Sequence, residues 1–281
     1  MKITAVDIGG SHITVAAVEM ENRQCAAESV SRQMVDSRNP AAALLDGWAA
    51  AIGRCAEMND TGQIAIAMPG PFDYDAGVSY IKDQSKFDAL YGINVKEALA
   101  ERLSIPASNI LMDNDASCFL RGHYFAGCLG ADENVLGLTL GTGFGSVIRS
   151  REEYSSPEYW SVPFGASIAD DYFSSRWLLK EYALSGREVL QSVRELALKE
   201  EGREVFQRFG AQLASFVAAA APEVDTILLG GNIARAFHLF GEPLMQGLAR
   251  QGHKYRFQIS TLGEDAMLLG AAAMYAPVSV H

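Results

Sequence analysis

The chain has 281 residues, 49% of them hydrophobic and 20% charged, an ordinary globular composition with room for one large domain or two smaller ones. A formal net charge of −11 argues against duplex binding, which needs a basic face. The most apolar tracts, residues 216–221 and 266–277, are shorter than the roughly 20 residues of a membrane helix. The chain opens on neither a signal core nor an Arg-rich transit stretch, so the expectation is a soluble, cytoplasmic protein with no membrane or nucleic-acid partner.

Residues 3–8 form a short apolar run that stops at Gly9-Gly10-Ser11, and alternation resumes over 12–18. That pattern predicts a hairpin with a glycine turn. Asn39-Pro40 then opens a helix as cap and first turn, with an apolar face at Leu44, Leu45, Trp48, Ile52 and Cys55. Residues 63–68 read as a strand stopped by Pro69-Gly70-Pro71, and Asn94 with Glu97 makes a capping-box-like start for a helix through Leu103. The next strand, 109–112, ends abruptly in Asp113-Asn114-Asp115, just before a helical pattern from about Asp115 to Ala126.

A second strand–glycine turn–strand unit, "VLGLTLGTGFGSVI", covers 135–148 and mirrors the first, "ITAVDIGGSHITVAAV". Two copies are a weak repeat, which suggests two related lobes rather than a solenoid. Two long helices are expected next, with apolar faces at Val189, Leu190, Val193 and Leu196, and at Val205, Phe206, Phe209, Leu213 and Phe216. Residues 224–229 read as a strand ending on Gly230-Gly231, and Thr261 with Glu264 forms a capping box for the last helix. Strands alternate with helices throughout, so the class is α/β. Cys25, Cys55, Cys118 and Cys128 form no C-x-x-C pair, which leaves a zinc knuckle without support and predicts reduced thiols. His12 reads as a hairpin residue and His123 as a helix-surface residue, neither with assigned chemistry.

Three apolar strands end in glycine turns: Gly9-Gly10-Ser11, Gly141-Thr142-Gly143 and Gly230-Gly231-Asn232. Glycine lets backbone N–H groups approach an anion without a Cβ in the way, so the three together point to a polyphosphate. A P-loop needs G-x-x-x-x-G-K-[ST], which is absent, and the nearest approach to a dinucleotide fingerprint has the wrong spacing and leads into a strand.

The segments "DIGGSHITVAAV", "PGPFD", "DNDAS", "LGTGFGSVI", "LLGGNIA" and "LGEDAMLLGAA" resemble, in order and over nearly the whole chain, those of the ROK family (repressors, open reading frames, kinases), close to its bacterial glucokinase-like members. The resemblance implies an α/β, two-lobed actin-like ATPase (ribonuclease H-like) fold with a central cleft. The N-terminal lobe would comprise 1–113 plus 264–281, and the C-terminal lobe 114–263. It implies an ATP-dependent kinase acting on a hydroxyl, at C6, of a hexose such as glucose or a related amino sugar, with ATP and Mg²⁺ as cofactors.

By the same resemblance Asp115 is the catalytic base and Asn114 a sugar ligand, since a neutral hydroxyl needs a base beside it. Capping by Asp113 or Asn114 accounts for only one of the three polar residues. Gly70 also falls among the implied substrate contacts. Asp7, a carboxylate in an otherwise apolar strand, would stand near Mg²⁺ through water. Gly9, Gly10 and Ser11 would hold phosphates from one lobe and Gly141, Thr142 and Gly143 from the other, with Gly230, Gly231 and Asn232 beside the adenosine. A homodimer is compatible with the family.

The resemblance fails in places. Many ROK members carry a zinc loop, a Gly-His ligand followed by Cys-x-Cys-Gly-x-x-Gly-Cys. Here no histidine lies between His123 and His238 and no cysteine follows Cys128, so no zinc site is expected. "ADDYFSSR" puts Asp170 where the family has a sugar-binding Glu, and "IKDQSKFDALYG" offers Asp83 or Gln84 for the family's Asn and Phe87 for its Trp. These changes affect sugar choice, because hydrogen-bonding groups dominate discrimination. The alternative function is a catalytically silent sugar-binding sensor or regulator. A repressor would carry a helix-turn-helix before the first glycine turn, which here begins at residue 9.

Overall fold

The computed structural model describes residues 1–56, 62–84, 86–151 and 153–277. The chain divides into two compact units: Met1–Gly130 joined by the stretch from Glu264 onward, and Ala131–Gly263. No described helix is long and apolar enough to cross a membrane.

In the first unit β1 (Lys2–Ile8) turns back antiparallel into β2 (His12–Glu19), in register from Lys2↔Glu19 to Ile8↔Ile13. The short β3 (Gln24–Cys25) and β4 (Ser31–Met34) pair on the outer side of β2. Helix α1 (Ala41–Ala56) buries the predicted Leu44, Leu45, Trp48, Ile52 and Cys55 face. Strand β5 (Ile64–Met68) runs parallel to β1 and is buried at every position, as befits a strand covered on both faces. A small hairpin, β6 (Phe72–Asp73) and β7 (Val78–Ser79), precedes α2 (Val95–Leu103), whose Asn94 cap accepts from Glu97 N–H at 3.0 Å. Strand β8 (Ile110–Asn114) closes the sheet parallel to β5 and leads directly into α3 (Asp115–Phe125).

The second unit repeats the plan. Antiparallel β9 (Val135–Leu140) and β10 (Phe144–Ser150) form the hairpin, and β11 (Glu153–Ser155) pairs outside β10. The two-residue strands β12 (Pro163–Phe164) and β13 (Ser167–Ile168) lead to α4 (Ala169–Tyr172) and α5 (Ser175–Leu184). Then come α6 (Val193–Ala197) and α7 (Gly202–Ala220). Strand β14 (Thr226–Gly230) runs parallel to β9, followed by α8 (Gly231–Ala234) and α9 (Phe237–Arg250). Strand β15 (Arg256–Ile259) completes the order β11-β10-β9-β14-β15. Its core is aromatic: Phe144, Phe173, Phe209, Phe216 and Phe240 are all buried, with edge contacts such as Phe209–Phe240 at 5.2 Å.

The structure corrects several expectations. Helix α3 belongs to the first unit, so the division falls at residue 130 rather than 113. The cause is its close crossing with α10 (Asp265–Ala272): a Cβ on Gly122 would lie 2.0 Å from Ala266 O, and one on Gly270 1.7 Å from Cys118 O. His123, on the same helix, is fully buried with Nδ1 2.8 Å from Phe119 O, not on the surface. The first of the two long helices is only the short α6. Gly186 at φ +78 follows α5, and the Ser192 side chain caps α6, leaving Val189 exposed. Glu264 does not complete a capping box with Thr261; its carboxylate is bound by Arg32 from β4, both oxygens against Nη1. All four cysteines are free thiols.

Candidate active site

Each unit presents a glycine turn at the end of its hairpin. In the first unit, Gly9 N–H donates to His12 O at 2.8 Å and closes the turn. Asp7 lies just before it, opposite Thr14 on β2 and Ala67 on β5. Its side chain is only partly exposed. Burial pushes its carboxyl up to about 7, helped by the charges of Asp115 and then Glu264, and opposed by Arg32. Asp7 and Asp115 thus offer carboxylate oxygens of the kind a hard cation such as Mg²⁺ takes, while the Glu264 carboxylate is held by Arg32. Among the described residues no group of three or more His, Cys, Asp or Glu forms a protein-only metal cage. Mg²⁺, which keeps several waters and leans on phosphate oxygens, needs none.

The end of β8 separates its three polar residues into three jobs. Asp113 is ion-paired to Arg121, 2.7 Å away, one helical face along α3. Asn114 is the cap: its Oδ1 accepts from Ala116 N–H (2.9 Å) and Ser117 N–H (3.4 Å). Its Nδ2 donates to Tyr74 Oη at 3.1 Å, and Tyr74 in turn donates to Met68 O at 2.9 Å. Asp115 opens α3 and is partly exposed; its carboxylate accepts from Ala116 N–H at 2.8 Å and, among the described residues, pairs with no arginine. Burial raises the Asp115 carboxyl, while the Lys86 charge pulls it down. Gly70 joins this group, since a Cβ there would lie 3.2 Å from Tyr74 Oη and 3.9 Å from Asn114 Nδ2. Tyr74, which follows "PGPFD" directly, had no signal of its own in the sequence.

The candidates at 83–87 behave differently. Asp83 is exposed at φ +58, and Gln84 is tied through its backbone N–H to Asp88 Oδ1 (3.2 Å). No side-chain hydrogen bond links either to Asn114 or Asp115 among the described residues. Phe87 is fully buried, edge-on to Trp48 at 5.5 Å. It is a core anchor rather than a surface for a sugar.

In the second unit, Gly141 N–H donates to Gly143 O (3.0 Å), and Gly141 O accepts from both Ser175 N–H (2.7 Å) and Ser175 Oγ (2.9 Å). Ser175 Oγ also lies 3.4 Å from Asn232 Oδ1. The turns 141–143 and 230–232 are thereby brought together, with Thr142, Gly143, Gly231 and Asn232 exposed. Gly231 must be glycine: its φ is +85 and a Cβ would lie 2.2 Å from Leu140 O. Asp170 is already engaged, accepting from Phe144 N–H at 2.7 Å and from Arg176 Nη2 at 2.6 Å. Ser175 and Arg176 sit in the "SSR" of the altered segment, where the sequence offered only the carboxylates as signals.

A sequence model of the ROK family matches residues 3–154. The chain belongs to the ROK family. Among its curated relatives, a glucokinase from Thermotoga maritima is 23% identical over 98% of this chain and 97% of its own. A β-glucoside kinase from Klebsiella pneumoniae is 31% identical over 60% of this chain; the chain spans about half of that relative, 54% of it. Among solved structures, a ROK family glucokinase from Streptomyces griseus in complex with glucose and AMPPNP superposes with TM-score 0.79 at 18% identity, covering 98% of this chain and 99% of that one. A ROK hexokinase from Thermus thermophilus gives 0.74 at 20% identity over 97% of both chains. The fold is therefore that of ROK sugar kinases, an actin-like ATPase fold.

Proposed function

We propose that this chain is an ATP-dependent sugar kinase that transfers the γ-phosphoryl group of Mg-ATP to the C6 hydroxyl of a hexose or N-acetylhexosamine, with Asp115 as the general base. The observation that carries the reading is the division of labour at the end of β8. Arg121 neutralises Asp113, Asn114 holds the helix end, and Asp115 is left as a carboxylate with no arginine partner and a raised proton affinity. A carboxyl raised by burial is a better proton acceptor near neutral pH than an ordinary one. The names of the relatives, glucokinase and β-glucoside kinase, support the substrate class.

In this reading the sugar is held by Asn114 Nδ2, which Tyr74 orients, and by the backbone at Gly70. Asp115 takes the hydroxyl proton as the sugar oxygen bonds to the γ-phosphorus; the bond from phosphorus to the β,γ-bridging oxygen breaks, and its electron pair leaves with ADP. The turns at 9–11 and 141–143 offer N–H groups to the phosphates, and Gly230, Gly231 and Asn232 flank the adenosine. Bound Mg²⁺, held by Asp7 through water, would neutralise phosphate charge.

ADP release, coupled to an indicator reaction across a panel of hexoses and N-acetylhexosamines, names the sugar. Asp115→Ala is expected to lower kcat at least about 100-fold with an unchanged melting temperature. Turnover near wild type in that variant removes the base assignment. An unsubstituted chain that binds a sugar but releases no ADP with any of them favours a sensor.

A further inference from the structure

Lys86 and Phe87 lie where the sequence departs from the ROK sugar-contacting segment, and the structure uses them in an unexpected way. Phe87 is fully buried against Trp48, and its N–H donates to Ser37 O at 2.8 Å. These two contacts fix the backbone next to Lys86. The Lys86 stem lies along the first glycine turn: a Cβ on Gly10 would meet Lys86 Cδ at 3.7 Å. The side chain is partly buried, and no described carboxylate forms an ion pair with it. A half-buried ammonium without an ion-pair partner is costly unless something anionic arrives beside it. The groups close to it are the phosphate turn and the base, since the Lys86 charge acts on Asp115.

We propose that Lys86 is a catalytic cation of this kinase, whose ammonium bonds the γ-phosphoryl oxygens at the 9–11 turn and stabilises them while the group passes to the sugar. This rests on the kinase reading above. The step leaves Lys86 protonated throughout: the hydroxyl proton goes to Asp115, the phosphorus changes oxygen partner, and the ammonium only balances charge on the equatorial oxygens. Phosphoryl transfer is limited by such positioning and charge stabilisation rather than by covalent help from the protein. A fixed donor at that place is worth far more in a dry site than in water. Lysine suits the role, being a compact point charge with three donors on a stem long enough to reach from the anchored Phe87.

The test uses the full chain with Mg-ATP and the sugar it turns over best. Lys86→Met keeps the apolar stem beside Gly10 and removes the charge; Lys86→Gln is the second neutral variant should the first fail to fold. The expected result is a fall in kcat of roughly 10²- to 10³-fold, with the sugar dissociation constant, measured without nucleotide, within about twofold and the melting temperature unchanged. Lys86→Arg, which retains the charge, is expected to recover at least about tenfold of the loss. A neutral variant within about threefold of wild-type kcat overturns the proposal. So does a variant that loses sugar affinity with kcat intact, which makes Lys86 a sugar ligand, or an Arg variant no better than Met. An unsubstituted chain that turns over no sugar overturns the kinase reading itself and this proposal with it; an active wild type beside an undisturbed Lys86→Met overturns this proposal alone.

Discussion

Asp170, which stands where the ROK pattern has a sugar-binding Glu, is bound from two sides by its own unit. Phe144 N–H and Arg176 occupy both carboxylate oxygens, and a Cβ on Gly143 would lie 3.2 Å from Oδ1. Its first duty is to hold the 141–143 turn. Asp170→Ala leaves the buried Phe144 N–H without its acceptor, a loss of about 1–3 kcal/mol. The Arg176 pair adds little, because Arg176 is mostly exposed. The KM for ATP is expected to rise about tenfold, with that for the sugar unchanged. A variant whose sugar KM moves instead would restore the sugar role implied by the resemblance.

Asp7 gives a pH signature at the same scale. Its folded carboxyl is raised from 3.8 to about 7. Below pH 4 it is protonated in both folded and unfolded chains, and its burial costs no charge. As pH rises from 4 towards 7 the unfolded chain releases the proton first, so stability falls; above 7 the loss is complete. At 1.36 kcal/mol per unit the loss is at most about 4 kcal/mol, and less because part of the side chain meets solvent. In EDTA without nucleotide, Asp7→Asn is expected to match wild type near pH 4 and exceed it by at least about 1 kcal/mol at pH 8 in urea unfolding. An equal difference at both pH values would contradict this. That Asp7 is unusual was legible from its place in an apolar strand. The magnitude was not, because it depends first on burial and then on Asp115 and Glu264, far along the chain.

At the scale of elements, periodicity and turn chemistry carried most of the fold. The α1 face, the Asn94 cap and both hairpins lie where the spacing of apolar residues and glycines predicts them, because each is decided within a few residues. The expectations that fell at Glu264 and His123 depended on packing beyond their own segment, and the one at Val189 on local breakers the apolar spacing does not register. Glu264 matched a capping box, yet Arg32 claims its carboxylate. Val189 matched a helical stripe, yet Gly186 and the Ser192 cap divide that stretch before packing can act. His123 matched an exposed helix position, yet it is fully buried, with its ring 4.7 Å from Phe119. The α3–α10 crossing is the largest of these nonlocal effects, and it rests on two glycines whose reason is invisible in sequence. Gly270→Ala places a Cβ 1.7 Å from Cys118 O, which rotamer changes cannot relieve. A loss of about 3 kcal/mol or more is expected from such overpacking, read from the urea midpoint. A midpoint unmoved by the extra methyl would mean the helices separate freely, and α3 would not be held in the first unit by this contact.

At the scale of the molecule, both sheets use one plan: a glycine-turned hairpin whose first strand continues into two parallel neighbours, β1-β5-β8 and β9-β14-β15. The paired motifs at 3–18 and 135–148 were the visible trace of this repeat. The division of function between its copies was legible only through the resemblance, and at 82–87 and 169–176 the sequence departs from the segments that carry it. In the proposed assignment the first unit carries the sugar ligands and base, and the second carries the adenosine-side turn, with phosphate turns on both. Ligands given one at a time should therefore leave different footprints in hydrogen exchange. Sugar alone is expected to slow the amides of Ala116 and Ser117, which the Asn114 cap holds, and to leave 141–143 and 230–232 as they were. A non-hydrolysable ATP analogue with Mg²⁺ is expected to slow 141–143, 230–232 and 9–11. Because a ligand bound only by the closed form multiplies protection by about 1 + [L]/Kd, the effect approaches 100-fold at 100 Kd. Sugar-dependent protection confined to 230–232, with α3 unaffected, would reverse the assignment of the two units.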